Sequence, residues 1–232
     1  MTATLESIHV YPVKSLDGIE PDQTTVREAG GLAFDREYAI RDGDGEYVNG
    51  KRERAVHRLA SSFDPDTGAW TVGPREGERE AFQLPEERAA ASNYLSDHFG
   101  YAVTIDRDPS GGFPDDTHAA GPTLISRGTL ETVASWYDDI DATELRRRLR
   151  PNLIVGGVEP FWEDRLYADR ESAVAFTIGG TSLEGRNPCQ RGVVPPRDPH
   201  TGAGTPGFRE RVVTERKATP PRWANEGRGD HY

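Results

Sequence analysis

One cysteine, Cys189, and three lysines, Lys14, Lys51 and Lys217, occur among 232 residues. A single thiol leaves no intrachain disulfide framework, no iron–sulfur cluster held by this chain alone and no cysteine-rich zinc site. Long apolar runs are missing too. No window approaches about eighteen apolar residues, and "MTATLESIHVYPVKSL" has no basic stretch followed by an apolar one, so the sequence predicts a cytoplasmic protein. Basic charge is also short, with 28 Lys and Arg against 39 Asp and Glu and a net charge of −11. Nucleic acid and anionic membrane both need a basic footprint, and the balance argues against either as the main partner.

What is present suits a packed protein. A hydrophobic fraction of 34% leans toward disorder, but four Trp, eight Phe and eight Tyr supply core material. The length allows one large domain or two small ones. An acidic surface whose bases are almost all arginine fits a high-salt cytoplasm, where hydrated carboxylates maintain solubility against screening.

Apolar alternation through Leu5, Ile8, Val10 and Val13 predicts an opening strand that ends at Pro12. "REYAIRDGDGEYVNG" reads as a hairpin turning at Gly43-Asp44-Gly45, and "HRLASSFDPDTGAWTVG" as a second turning at Asp64–Gly68. The period then changes: Ala91, Tyr94, Leu95, His98 and Phe99 recur at helical steps until Gly100 stops them. His98 on that face is expected to be a packed, hydrogen-bonded core residue. "YAVTID" returns to strand, and the Pro-, Gly- and Asp-rich stretch up to Pro122 reads as a long surface loop or linker. Two further helices are expected, "RGTLETVASWYDD" with Ser126 or Gly128 near its start, and "DATELRRRLRPN" with Asp141 and Glu144 at capping-box spacing. Short strands and turns should follow. The pattern is α+β and mostly β, without an alternating βαβ sheet.

Four groups of residues could carry chemistry. Cys189 lies between Arg186 and Arg191, whose charges favour a thiolate suited to nucleophilic attack or a soft metal; the competing reading is a small buried residue. Arg146, Arg147, Arg148 and Arg150 crowd a helix end, where most should be solvated. Arg150, fixed in an extended exit by Pro151, suits a bidentate phosphate contact. Ser126, Arg127, Gly128 and Thr129 open a helix and favour an anion there, as any Ser/Thr cap would. Lys14 and Ser15, and separately Asp35 and Arg36, flank strands. Together Lys14, Arg36, Arg150 and Arg186 outline contacts for one polyanionic ligand.

In order and spacing, "YPVKSL", "GLAFDREY", "LISRGTL", "LRPNLIVGGVEPFWEDRL" and "PCQRGVVPPRDPHTG" resemble the MOSC proteins, in particular the branch with an N-terminal β-barrel region that includes the mitochondrial amidoxime-reducing component and its bacterial relatives. The resemblance implies a barrel region over residues 1–100 and a MOSC β-barrel with a few helices over 101–232. It implies a molybdenum cofactor (molybdopterin) in the cleft between them. By position, Lys14, Ser15, Arg36, Ser126, Thr129, Arg150 and Asn152 would hold the pterin and its phosphate, and Arg186 and Gln190 would also bind the cofactor. The implied activity is two-electron reduction of an N–O bond in a small molecule, with electrons from a separate ferredoxin, flavoprotein or cytochrome.

Two departures stand out. Amidoxime-reducing relatives carry Pro-Cys-x-Arg-Cys, whose second cysteine binds molybdenum; here Gly192 takes that place and Cys189 matches the first cysteine. Cys189 could then be the metal ligand, the metal could be held by the pterin alone, or the protein could carry the cofactor, or another anion, without redox chemistry. A Cys189-based sulfur carrier is a further alternative. Relatives also continue past the segment matching "WANEGRGDHY"; either the last strands are dispensable or the chain is shortened, and an edge left open could pair with another chain.

Overall fold

The computed structural model describes residues 2–167, 173–189 and 192–218. They form two compact units. One comprises Ile8–Pro122 with Asp198–Ala203, the other Met1–Ser7, Thr123–Arg197 and Gly204–Tyr232. Residues 101–122 therefore pack with the first unit.

In the first unit, β3 (Leu59–Phe63), β4 (Ala69–Pro74) and β5 (Glu80–Gln83) form an antiparallel sheet in that order, and β2 (Tyr38–Asp42) pairs antiparallel with β6 (Val103–Arg107). The Asp64–Gly68 turn joins β3 to β4 as expected. Asp64 accepts from Asp66 N–H and Thr67 Oγ1, and Gly68 takes φ +74°. Helix α1 (Arg88–Phe99) packs on β5 and β6 and ends at Gly100, whose φ of +78° is left-handed. Trp70, Tyr38, Leu59, Leu95 and Val72 are buried in one continuous core. His98 departs from its expectation. Its Nε2 is buried without a hydrogen-bond partner, and burial, then Arg58, push its pKa below the usual histidine value, so a neutral ring packs edge-on against Phe99.

The same unit contains a charge triad around a buried carboxylate. Glu37, its side chain 3% exposed, lies between Arg27 and Arg107, whose Nε donates to it at 2.8 Å. Arg107 belongs to β6 and Glu37 directly precedes β2, so the triad ties the pair together at the end where Tyr38 faces Arg107.

In the second unit, β1 (Thr4–Ile8), β8 (Leu153–Gly156) and β7 (Leu124–Ser126) form a sheet in that order. β7 and β8 are parallel, joined by a crossover through α2 (Arg127–Ala134) and α3 (Ala142–Leu149). This is a local β–α–β connection. Asp141 caps α3 through Glu144 N–H at 2.7 Å, as its spacing predicts. β9 (Val174–Ile178) and β10 (Thr181–Gly185) form a hairpin. A fourth helix, α4 (Phe208–Ala218), stands where only strands and turns were expected. "FRERVVTERKA" has too few apolar residues to show helical periodicity. Phe208 nonetheless stacks on Tyr137 at 4.9 Å, and Arg216 lies 4.0 Å over the Phe161 ring and reaches Asp164.

The α+β class stands. The sheets of the described residues are small, of two or three strands each, and none closes into a ring. Strands of three to six residues leave part of the β structure to isolated bridges such as Val10↔Ile19, Val13↔Tyr38 and Arg41↔Tyr47.

The arginine run corrects two expectations. Arg148 is not solvated: its side chain is 3% exposed, bonded to Glu144 at 2.5 Å, to the Pro195 carbonyl and to Thr205 Oγ1. Arg150 is not extended. It caps α3 with φ +53° and ψ +49°, donating its N–H to the Arg146 carbonyl, because satisfying a terminal carbonyl wins over the extended bias before proline. Replacing Arg148 with Ala strands buried acceptors and Glu144, and should lower unfolding free energy by about 3 kcal/mol. Arg147→Ala, at an exposed position, should change it by less than about 0.5 kcal/mol. Denaturant titration of both variants checks the contrast.

Candidate functional site

Backbone pairing sets the first group of candidate residues. The segment Tyr11–Lys14 runs beside Arg36–Tyr38: Arg36 N–H donates to the Tyr11 carbonyl (2.8 Å), Tyr38 N–H to Pro12 (3.0 Å) and Lys14 N–H to Tyr38 (2.8 Å). Loop 108–115 then closes over them, with Phe113 N–H donating to the Arg36 carbonyl at 2.8 Å. Lys14 and Arg36 are thereby brought into one electrostatic cluster, and the apparent linker proves to be part of it.

Lys14 is 6% exposed. Its Nζ donates to the Phe113 carbonyl at 2.9 Å and to Asp115 Oδ1 at 2.8 Å, 5.3 Å from the centre of the Tyr47 ring. Burial pushes its pKa below the usual lysine value, and Asp115 offsets this only in part. Arg36 pairs with Asp35 and lies 5.2 Å from the Tyr11 ring centre. For Arg36, burial works against the charge, but Asp35 outweighs it and the pKa is raised. Asp35 is itself oriented by Tyr11 N–H at 2.9 Å. Ser15 is half-buried beside Lys14.

The second unit holds the other group. Ser126 is fully buried and caps α2, accepting from Thr129 N–H at 3.1 Å with its Oγ 2.8 Å from Thr129 Oγ1. Thr129 Oγ1 in turn accepts from Phe161 N–H at 2.6 Å. Asn152, 1% exposed, accepts from Thr123 N–H at 3.1 Å, so its side-chain oxygen serves the fold. Arg150 is half-buried.

Glu163 is a residue that sequence reasoning passed over within "FWEDRL". Its Oε2 is buried without a hydrogen-bond partner, and burial pushes its pKa up against hydrogen bonding from Thr129 and Ser126.

The segment after β10 resolves one alternative. Cys189 is exposed, which removes the reading as a small buried residue. Arg186 extends to Glu184 at 3.2 Å. Gln190 and Arg191 lie outside the described residues. Gly192 has no positive φ, and a Cβ there would meet nothing within 4 Å. Among the described residues, no three His, Cys, Asp or Glu side chains are grouped to hold a metal ion.

Backbone strain concentrates in these same segments. Among the described residues, the non-glycine positions with positive φ are Ser15 (+74°), Phe34 (+63°), Arg36 (+49°), Arg150 (+53°) and Phe161 (+61°). All five fall within "YPVKS", "AFDRE", "RPN" and "PFWED". Each costs of order 1–3 kcal/mol, and such strain gathers at sites where a ligand is held.

Residues 2–102 match the family model of the MOSC N-terminal beta barrel domain. The N-terminal region is thus of the MOSC β-barrel type, and the match supports a MOSC domain protein with such a region. The match includes Lys14, Ser15 and Arg36; Ser126 and the residues after it lie beyond its end. No curated protein matches the chain. No helix of the described residues is long and apolar enough to cross a membrane.

The open surroundings of Gly192 give a direct expectation. Gly192→Cys should fold with unfolding free energy within about 0.5 kcal/mol of the parent. Thiol titration of the native variant should count two reactive groups per chain against one in the parent. A count of one would show that position 192 is covered.

Proposed function

We propose that this MOSC protein binds a molybdenum cofactor and reduces N-oxygenated small molecules with electrons from a separate donor protein. MOSC domains are associated with molybdenum-cofactor binding, and the likeness of "PCQRG" and "RPN" to amidoxime-reducing relatives supplies the reaction class. The observation carrying the reading is the buried Lys14 and the largely covered Arg36 in one electrostatic cluster on a strained backbone, a donor set that fits an anionic pterin group.

The fit is uneven. Lys14 and Arg36 suit the phosphate end, with Ser126, Thr129, Arg150 and Asn152 proposed as further contacts. At the metal end the chain has glycine where relatives have thiolate. When bound, the cofactor supplies two-electron oxygen-transfer chemistry. The overall conversion takes an N-hydroxylated substrate, two electrons and two protons to the corresponding N–H compound and water; the N–O bond breaks and an N–H bond forms. The chain's own part is to orient the anion.

Gly192 favours a second reading, a carrier that holds the cofactor without turning substrate over. A donor-coupled reductase assay separates the two. With a viologen donor and benzamidoxime, the enzyme reading predicts turnover by the parent and faster turnover by Gly192→Cys, since a soft thiolate suits such a metal. Turnover in neither protein leaves the carrier.

Arg150→Gly tests the phosphate contact apart from the fold. Glycine relieves the left-handed cap, so thermal stability should hold while cofactor affinity falls by about ten- to a hundredfold, the loss of a charge-assisted bond of about 1.5–3 kcal/mol. Arg147→Ala should leave affinity unchanged. Equal effects of the two on pterin retention would remove Arg150 from the site.

A further inference from the structure

We propose that Asp115 is the resident counterion of an oxyanion site built by Lys14, Arg36 and Lys51, and that a phosphate-class ligand group binds there by displacing it. This deepens the cofactor reading, on which it rests only for the identity of the ligand.

Two of the chain's three lysines meet one carboxylate. Asp115 Oδ1 is 2.8 Å from Lys14 Nζ and 3.8 Å from Lys51 Nζ, and Arg36 also acts on it electrostatically. Burial raises the pKa of Asp115, but Lys14, Lys51 and Arg36 together hold it below the ordinary aspartate value. The cations and the carboxylate are mounted differently. Lys14 and Arg36 are fixed by the backbone pairing described above, their side chains 7% and 14% exposed. Asp115 is 62% exposed, two residues past the point where Phe113 anchors the loop. At Gly112, φ is +67° and a Cβ would lie 2.8 Å from the Asp35 carbonyl, so the loop base is pinned while Asp115 beyond it can leave.

Its departure alone would be costly. The buried Lys14 ammonium would keep only the Phe113 carbonyl among its hydrogen-bond acceptors, and a desolvated cation needs a charge partner. An oxyanion in place of the carboxylate restores that partner and offers acceptors to Lys51 and Arg36 as well. Asp35 is not the exchangeable group, being held by Tyr11 N–H and only 12% exposed. Tyr11, Tyr47 and Phe113 border the cluster with aromatic surface.

Inorganic phosphate is the probe, titrated at low ionic strength by calorimetry. Asp115→Asn removes a tethered competitor and should tighten phosphate binding about tenfold. The exposed-loop control Asp44→Asn, with the same change in net charge, should shift it less than twofold. Adding Lys51→Gln to Asp115→Asn should weaken binding about fivefold. An Asp115→Asn affinity equal to or weaker than the parent's, or no effect of Lys51→Gln, overturns the inference.

A second measurement uses the unmutated protein. With three lysines, acylation is resolved residue by residue by mass spectrometry, and phosphate should slow modification of Lys51 while sparing Lys217. Equal rates with and without phosphate at Lys51 also overturn it. Pterin content separates the two claims. Tighter phosphate binding by Asp115→Asn in a protein that never retains pterin upholds the anion site and removes the cofactor reading; retained pterin with no phosphate effect does the reverse.

Discussion

A lysine with 6% exposure needs an acceptor close by, and around Lys14 that requirement organises the first unit. The ammonium takes the Phe113 carbonyl and the Asp115 carboxylate, both about a hundred residues away in sequence. To bring them there, loop 108–115 must bond to the Arg36 carbonyl, and Arg36 must bond to Tyr11. The buried charge therefore fixes a loop, a strand entry and a second cation together. Removing a lone charge from such a place is a larger perturbation than removing a surface pair, because what remains is a desolvated carbonyl and an unbalanced field.

The same economy of position appears in the second unit without a cationic centre. Ser126, Thr129 and Phe161 form a chain of short bonds at the start of α2, with Glu163 beside it. Each unit thus uses backbone strain to hold polar groups in place, at Ser15, Phe34 and Arg36 in one and at Arg150 and Phe161 in the other. Helix caps, strand pairing and the hydrophobic cores around Trp70 and Leu145 supply the stability that allows it.

Local features were readable from sequence because their causes are local. Gly100 ends α1, Ser126 and Asp141 cap α2 and α3, and the Asp64–Gly68 turn reverses β3 into β4, each determined by residues within five positions. Arg148 and Asp115 were not readable. Both look like solvated charges in sequence, and both find their partners through contacts 47 to 101 residues distant. Helix α4 hid behind a polar composition, and the left-handed Arg150 behind an averaged bias before proline. Charge alone grouped Lys14 and Arg36 as contacts for one polyanion, and the resemblance named that anion as a pterin phosphate; only the fold brings the two together. The structure unites those two, pairs Ser126 with Thr129, and adds Lys51, Asp115 and Glu163.

On the proposed reading, Lys14 and Arg36 hold an anion while Gly192 stands at the position relatives use for a metal thiolate. A purified sample from a host making molybdenum cofactor, analysed for molybdenum by mass spectrometry and for pterin by fluorescence after oxidation, puts the account to its most direct test. Pterin should approach one per chain and be lost from a Lys14→Met, Arg36→Lys double variant that still folds. Pterin absent from the parent, or retained unchanged by the double variant, would contradict it.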